Sequence, residues 1–310
     1  MTEPSLTSPA TGRRSPKLPG WLKIRPPQGE RYSRVRKLVS GLGLTTVCEE
    51  ARCPNLSECW SSGTATFMLL GEVCTRGCSF CSVTTSRRGQ EVDPNEPEKV
   101  LEAVRTMQLT YVVLTSVDRD DLPDQGAGHF ARTVEVLKKG IPGILVETLI
   151  PDFRGDTEAI DTIAACGADV LAHNVETVRR LNQEVRDPRA GYDQSLRVLE
   201  ALKERAPERL TKSSLMLGLG EEDEELEQAF RDLRGVGVDL LTMGQYLRPT
   251  ASHRKVHDFV SPERFEVLQD RALEHGFRHV AAGPFVRSSY RAGELFVESL
   301  LRSGGEADRT

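Results

Sequence analysis

Cys74-Thr-Arg-Gly-Cys78-Ser-Phe-Cys81 puts three thiols on one short stretch at the spacing C-x3-C-x2-C. Three thiolates on a tight loop can hold three irons of a [4Fe–4S] cube and leave the fourth iron without a protein ligand. Gly77 lets the backbone turn where a side chain would crowd the sulfides. A zinc knuckle and three unrelated buried thiols are the competing readings. Structural zinc takes four ligands, commonly in paired C-x2-C units, and no fourth Cys or His stands at a suitable spacing. Upstream, Cys48-Glu-Glu-Ala-Arg-Cys53-Pro-Asn-Leu-Ser-Glu-Cys59-Trp60 carries a second triad, C-x4-C-x5-C. It implies a second cube with an open or unusual corner, with zinc again the alternative. Of the seven cysteines only Cys166 lies elsewhere, among the small residues of Ala164-Ala-Cys-Gly-Ala168, where an inert buried thiol is expected. A disulfide framework belongs to small secreted chains, and this chain has 310 residues.

The elements that must position these thiols alternate. Near-continuous apolar runs at Ala65–Val73, Tyr111–Val117, Ile144–Ile150, Val170–Val175, Ser213–Leu219 and Leu240–Leu247 read as strands buried on both faces. Helical segments lie between them at Pro97–Met107, Phe130–Lys139, Asp156–Ala165, Asp193–Arg205 and Asp223–Leu233, with Leu196, Leu199 and Leu202 on one face. A short basic helix is expected over Tyr32–Leu44, closed by Gly41 and Gly43. The fold class is α/β, a partial (β/α)6 barrel of the TIM type, with a flat doubly wound sheet as the alternative that periodicity does not separate. The expected organisation is a disordered tail (1–20), an N-terminal extension bearing the second triad (21–64), the barrel (65–280) and a C-terminal extension (281–310). Polar residues gather after the strand ends: Glu72, Ser116 with Asp118, Asn174 with Glu176, and Gln245 with Arg248. In parallel α/β folds that edge carries the active site.

The net charge of −5 leaves no global nucleic-acid footprint, and no apolar stretch approaches the roughly 20 residues that span a bilayer. Neither nucleic acid nor membrane is expected as a partner. The N-terminus lacks an apolar signal core, and its prolines (Pro4, Pro9, Pro16, Pro19) oppose an amphipathic helix, so a soluble, cytoplasmic protein is expected. A basic stretch from Arg13 to Lys37 either steers an acidic partner or is a solvated arm. Gly218-Leu-Gly220 has part of a dinucleotide loop, but the third glycine is replaced by Asp223 and the run Glu221–Glu225 would repel a pyrophosphate. His253 and His257 have helical spacing but fall on an expected loop without an acidic neighbour of the required kind.

The first triad, on the first strand of a βα series, resembles the signature of the radical S-adenosylmethionine enzymes. The second resembles the lipoyl synthase family within that superfamily. The likeness runs from about Trp21 to Glu294, through Val113-Leu-Thr-Ser-Val-Asp-Arg-Asp-Asp-Leu122, His173-Asn-Val-Glu-Thr177, Leu217-Gly-Leu-Gly-Glu221, Gly244-Gln-Tyr-Leu-Arg-Pro249 and Gly283-Pro-Phe-Val-Arg-Ser-Ser-Tyr290. Ser214 departs from it, standing where glycine is expected. The resemblance implies two [4Fe–4S] clusters, one held by Cys74, Cys78 and Cys81, the other by Cys48, Cys53, Cys59 and a serine, Ser289 with Ser288 as the alternative. It implies S-adenosylmethionine as cofactor, cleaved to a 5′-deoxyadenosyl radical, with Phe80 beside the adenine or in the core. Asn174 and Glu176 would hold the ribose or the methionyl ammonium, Ser116 and Asp118 are second candidates, and Arg248 would pair with the carboxylate. The implied reaction inserts two sulfur atoms at C6 and C8 of an octanoyl-lysine. Its carriers would be lipoyl domains of dehydrogenase-complex E2 subunits or the glycine-cleavage H protein, and its electron donor a ferredoxin or flavodoxin. A biotin-synthase type of enzyme would share the first triad alone. A non-enzymatic zinc or electron-transfer module would share only thiolates.

Overall fold

The computed structural model describes residues 18–23, 30–51, 53, 55–62 and 66–289. The expected tail up to Lys17, part of the basic stretch and the C-terminal extension beyond Ser289 lie outside them. The helices are α1 (Glu30–Leu42), α2 (Val47–Glu50), α3 (Leu56–Ser62), α4 (Glu96–Met107), α5 (Ala127–Gly140), α6 (Thr157–Ala164), α7 (Asn182–Val185), α8 (Tyr192–Arg205), α9 (Asp223–Gly235) and α10 (Pro262–Glu274). The strands are β1 (Thr45–Thr46), β2 (Thr66–Leu69), β3 (Val73–Cys74), β4 (Thr84–Thr85), β5 (Tyr111–Ser116), β6 (Leu145–Leu149), β7 (Val170–Ala172), β8 (Leu210–Leu217), β9 (Leu240–Gln245) and β10 (His279–Gly283).

The main sheet runs β1-β2-β5-β6-β7-β8-β9-β10, with β1 antiparallel to β2 and every other pair parallel. Spatial order follows chain order throughout. A doubly wound sheet would reverse direction at a switch point, so this winding is that of a barrel. Among the described residues β10 does not pair back onto β1 or β2, and the barrel is open. The six expected strands are present and β10 adds a seventh parallel one.

One motif occurs twice around the barrel. Asp169, just before β7, accepts the Val146 N–H of β6 at 2.7 Å and pairs with Lys138 of α5. Asp239, just before β9, accepts the Thr211 N–H of β8 at 2.9 Å and pairs with Lys203 of α8 at 2.9 Å. Each acid thereby ties a helix to the start of two neighbouring strands. Between β5, β6 and β8 a buried ion pair joins Lys212 to Glu147 (2.8 and 2.9 Å), and Tyr111 donates to the same carboxylate at 2.5 Å. A charge this deep is tolerable only when its partners are this complete. Leu199 and Leu202 of α8 are fully buried and Leu196 nearly so, as their spacing predicts.

Candidate metal centre

The first triad hangs on a broken strand. β2 stops at Leu69 rather than continuing to Val73, because Leu70 and Gly71 take φ values of 68° and 85°. The Glu96 carboxylate accepts the Leu70 N–H at 3.0 Å, and Arg119 donates to the Leu70 carbonyl at 3.2 Å, which holds the turn. The chain then enters the short β3–β4 pair, which brackets the cysteine loop. At its centre the Arg76 guanidinium, 3% exposed, meets Asp120 in a two-pronged contact (3.0 and 2.8 Å), Asp152 at 2.7 Å and Asp118 at 3.3 Å. Burial pushes Asp118 up to about 6 in spite of Arg76. Thr75 closes the loop onto the same segment, accepting the Asp120 N–H and donating to the Asp118 carbonyl, both at 3.0 Å.

A second brace comes from residues 184–189. Asp187 accepts the Gly77 N–H at 2.8 Å and gives its own N–H to Cys78 Sγ at 3.3 Å, while Ser79 N–H reaches the Val185 carbonyl at 2.9 Å. Arg76 N–H points to Cys74 Sγ at 3.4 Å, and a backbone hydrogen bond from Val83 reaches Cys81. A third brace is the loop after β9, where His253 Nε2 meets the Cys81 carbonyl at 2.9 Å and Arg254 N–H meets Ser79 O at 2.9 Å. The cysteines are free thiols. Burial pushes Cys74 and Cys78 up to about 12 and Cys81 to about 11, so metal is needed to deprotonate them. Backbone N–H groups aimed at the sulfurs suit a metal-bound thiolate. Among the described residues no group of three His, Cys, Asp or Glu is drawn together as one ion would require.

The second triad spans α2, α3 and the segment between them, which carries Cys53. β1 pairs with β2 and delivers Cys48, while α3 carries Cys59 and the fully buried Trp60, which stacks on Tyr32 of α1 at 5.3 Å. Burial, then Cys53, pushes Cys48 up to about 12. Asn55 Nδ2 donates to the Phe285 carbonyl at 2.6 Å, and Arg287 sits close enough to Cys53 to favour its thiolate against the upward push of burial. The Arg-Ser-Ser segment is therefore carried to this triad across more than two hundred residues. β9 permits the approach only at glycine: a Cβ on Gly244 would lie 1.9 Å from the Val286 carbonyl oxygen. The two cysteine segments also touch each other, Ser82 Oγ donating to the Glu50 carbonyl at 2.5 Å.

One cavity of about 1170 Å³ joins these parts. Cys74, Cys78, Cys81, Cys53, Ser288 and Ser289 all line it; Cys48 and Cys59 are buried behind. Of the residues singled out at the strand ends, Ser116, Asp118, Asn174, Glu176, Gln245 and Arg248 line it too, as does Phe80 from the cysteine loop, whereas Glu72 does not. Ser116 Oγ and Asn174 Oδ1 are buried without a hydrogen-bond partner, which is what a bound polar cofactor would relieve. Asn174 Nδ2 donates to Glu176 Oε1 at 3.1 Å, and Glu176 has a φ of 67° and a pKa raised by burial. Phe80 also packs against the core of β8, β9 and α9. Arg248 gives its Nε to the His253 carbonyl at 2.7 Å and an Nη2 to that of Ala251, so its guanidinium braces its own loop. In the Gly218–Gly220 loop the Glu221 carboxylate takes the N–H groups of Gly218 (2.6 Å) and Leu219 (2.9 Å), occupying the donors a phosphate would need.

His173 was singled out by no spacing rule. Its Nδ1 meets the Ile150 carbonyl and its Nε2 meets Ser195 Oγ, both at 2.9 Å. Burial, reinforced by Arg186, holds its pKa down to about 4. The unfolded chain therefore takes up a proton between about pH 6.5 and about pH 4 that the folded chain refuses, and stability falls across that window by about 3 kcal/mol. Urea titrations of wild type and His173→Gln should show the wild-type advantage shrinking as pH drops from 7 to 4. An advantage that stays constant with pH would refute the assignment.

A model of the radical SAM superfamily matches residues 68–233, and crystal structures of similar fold include methylornithine synthase (TM-score 0.53, 15% identity, covering 84% of this chain and 79% of that one) and Streptococcus suis SuiB bound to S-adenosylmethionine (0.51, 11%, 73% and 53%). At such identities the likeness speaks for the fold alone. A model of the N-terminal domain of lipoyl synthase matches residues 7–53. Relatives include the chloroplastic lipoyl synthase of Arabidopsis thaliana (54% identical, covering 95% of this chain and 76% of the relative) and the mitochondrial lipoyl synthase of Penicillium rubens (56%, 95% and 73%). The chain belongs to the lipoyl synthase family of radical SAM enzymes. With that membership come a [4Fe–4S] cluster and S-adenosylmethionine. The cytoplasmic expectation is overturned, because these relatives are named for chloroplasts and mitochondria. It rested on a missing apolar signal core, which does not distinguish those compartments, and on N-terminal prolines that oppose an amphipathic helix. Among the described residues no helix is long and apolar enough to cross a membrane.

Proposed function

We propose that the chain makes the lipoyl group by inserting two sulfur atoms at C6 and C8 of an octanoyl-lysine on a lipoyl carrier domain. What carries the reading is that Cys53 and both candidate serines open into the cavity that also receives Cys74, Cys78 and Cys81. The first cluster, when bound, supplies the electron that cleaves S-adenosylmethionine to a hydrogen-abstracting radical, and the second supplies sulfide. Cys74, Cys78 and Cys81 hold the first from one loop, leaving a corner to the cofactor. Asn174, Glu176, Ser116 and Asp118 bind the cofactor's polar groups, Phe80 covers its adenine, and Arg248 positions the loop that closes over it. Cys48, Cys53, Cys59 and Ser289 hold the second cluster, with the barrel at 65–280 flanked by segments 21–64 and 281–310 that carry these ligands. Unactivated C–H bonds offer no acidic proton, so the side chains exclude water and orient rather than act as acids or bases. A low-potential one-electron carrier, such as a ferredoxin or flavodoxin, completes the system.

Incubating the reconstituted protein anaerobically with S-adenosylmethionine, a strong reductant and an octanoyl-lysyl peptide should raise the peptide's mass by two sulfur atoms. A peptide left unchanged while the cofactor is cleaved would defeat the reading. A serine ligand suits a cluster that must be dismantled, since an alkoxide-type donor releases iron more readily than a fourth thiolate. Ser289→Cys should therefore retain cofactor cleavage and iron but lose most product. Two complete insertions by that variant would sink the serine argument.

A further inference from the structure

Behind the cysteine loop lies a second depression of about 500 Å³, lined by Thr75–Gly77, Thr85–Arg87, Asp120, Asp121, Arg154 and Arg189. It shares Arg76 and Thr85 with the large cavity, so the two open on either side of the same loop. Gly77, adjacent to Cys78, is exposed here without a side chain to cover it. The acids of the depression are already engaged: Asp120 by Arg76 and Arg189, Asp121 by Arg119. Arg87 and Arg154 are exposed and, among the described residues, meet no carboxylate. Arg154 is held outward by backbone that a non-glycine residue rarely adopts (φ 53°, following Phe153 at 45°). The Asp152 carboxylate accepts its N–H at 2.9 Å, and Gln125 donates to the Phe153 carbonyl at 2.8 Å, fixing that turn. Backbone strain maintained in this way commonly marks a functional surface.

We propose that this cationic depression is the docking surface for an acidic, low-potential one-electron carrier protein. The inference rests on the function proposed above, in which the octanoyl chain enters by the large cavity, so that an electron must reach the same loop by another approach. One electron passes from the carrier's reduced cofactor to the cluster; the carrier is oxidised by one electron, the cluster is reduced by one, and no bond is made or broken. Surface charge of this kind acts mainly on association rate.

The test uses the cluster-loaded full chain, fluorescently labelled flavodoxin as the carrier, and dithionite as a reductant that needs no docking. In Arg87→Glu/Arg154→Glu, flavodoxin binding followed by anisotropy should weaken about tenfold or more, and flavodoxin-driven cluster reduction should slow to match. Dithionite-driven reduction and iron content should be unchanged, and Arg87→Lys/Arg154→Lys should restore binding. If charge reversal disturbs iron content, Arg87→Gln/Arg154→Gln provides the same reading with a smaller loss. Unaltered flavodoxin binding would overturn the proposal, as would equal losses with dithionite or a raised KM for the octanoylated carrier in place of the flavodoxin effect. Failure of the wild type to make lipoyl product with dithionite would count against the function instead and leaves the binding comparison intact.

Discussion

Replacing Cys74, Cys78 and Cys81 together by alanine should abolish cleavage of S-adenosylmethionine and lower bound iron from about eight atoms per chain to about four. The expectation follows from where the triads sit. The first lies on a loop between β3 and β4, braced by Asp187, His253 and the Arg76 carboxylate set, none of which touches α2 or α3 through the cysteines themselves. The second lies on α2, α3 and the segment joining them, packed under α1 through Trp60 and Tyr32. Losing one set of thiols leaves the backbone that frames the other. The reciprocal replacement of Cys48, Cys53 and Cys59 should keep cofactor cleavage and lose sulfur insertion. Anaerobic iron and sulfide analysis with a cofactor-cleavage assay reads both halves. Bound zinc, or cleavage that survives loss of the first triad, would contradict the assignment.

Arg76→Met should be the most destabilising single substitution outside the cysteines. Arg76 is 3% exposed, and its removal leaves Asp152 (1% exposed) and Asp118 without an ion-pair partner and Asp120 with Arg189 alone. Removing one partner from a buried ionic set costs about 3–5 kcal/mol, a large part of the roughly 5–15 kcal/mol that holds a domain folded. The thermal midpoint should drop by about 10 °C. The sign of the pH response separates this cause from mere loss of packing. In wild type, burial raises Asp152 but Arg76 and its other partners more than offset it, so its pKa lies below the usual range and acid removes stability. Without Arg76, Asp118 should rise further and Asp152 should titrate above its unfolded value, and protonation then stabilises the fold. The deficit of the variant should therefore narrow between pH 7 and pH 5. Arg76→Lys should lose less, since one ammonium replaces the charge but not the two-pronged contact. A deficit that does not change with pH would mean that shape rather than charge is responsible.

Much of the site was legible because its chemistry is local in sequence. Both triads declare themselves by spacing, and Ser116, Asp118, Asn174 and Glu176 could be found because strand ends in a parallel barrel converge on one face. The supports were not legible. Asp187 reaches Gly77, Asp152 reaches Arg76 and Phe285 reaches Asn55 across 110, 76 and 230 residues, and no periodicity encodes such pairs. Arg248 is a candidate carboxylate partner because it follows a strand end; the loop folds back and also engages it with the carbonyls of His253 and Ala251, which sequence does not reveal. β10 gives little sequence signal, since His279–Gly283 is short and three of its five residues are alanine or glycine, and the apolar run over β2 does not reveal a left-handed break at Leu70. The barrel itself could be settled only by strand order.

The central claim is that two thiol triads meeting at one cavity, the first lining it whole and the second reaching it through Cys53, divide the labour, one enabling cofactor cleavage and the other holding sulfur that is given up. It is tested most directly by reconstituting the protein with heavy-isotope sulfide, removing free sulfide, and measuring the mass of an octanoyl-lysyl peptide after anaerobic reaction with S-adenosylmethionine. The account predicts product bearing two heavy sulfur atoms and a matching loss of sulfide from the protein. Product containing only light sulfur, or sulfur insertion by a protein stripped of Cys48, Cys53 and Cys59, would contradict it.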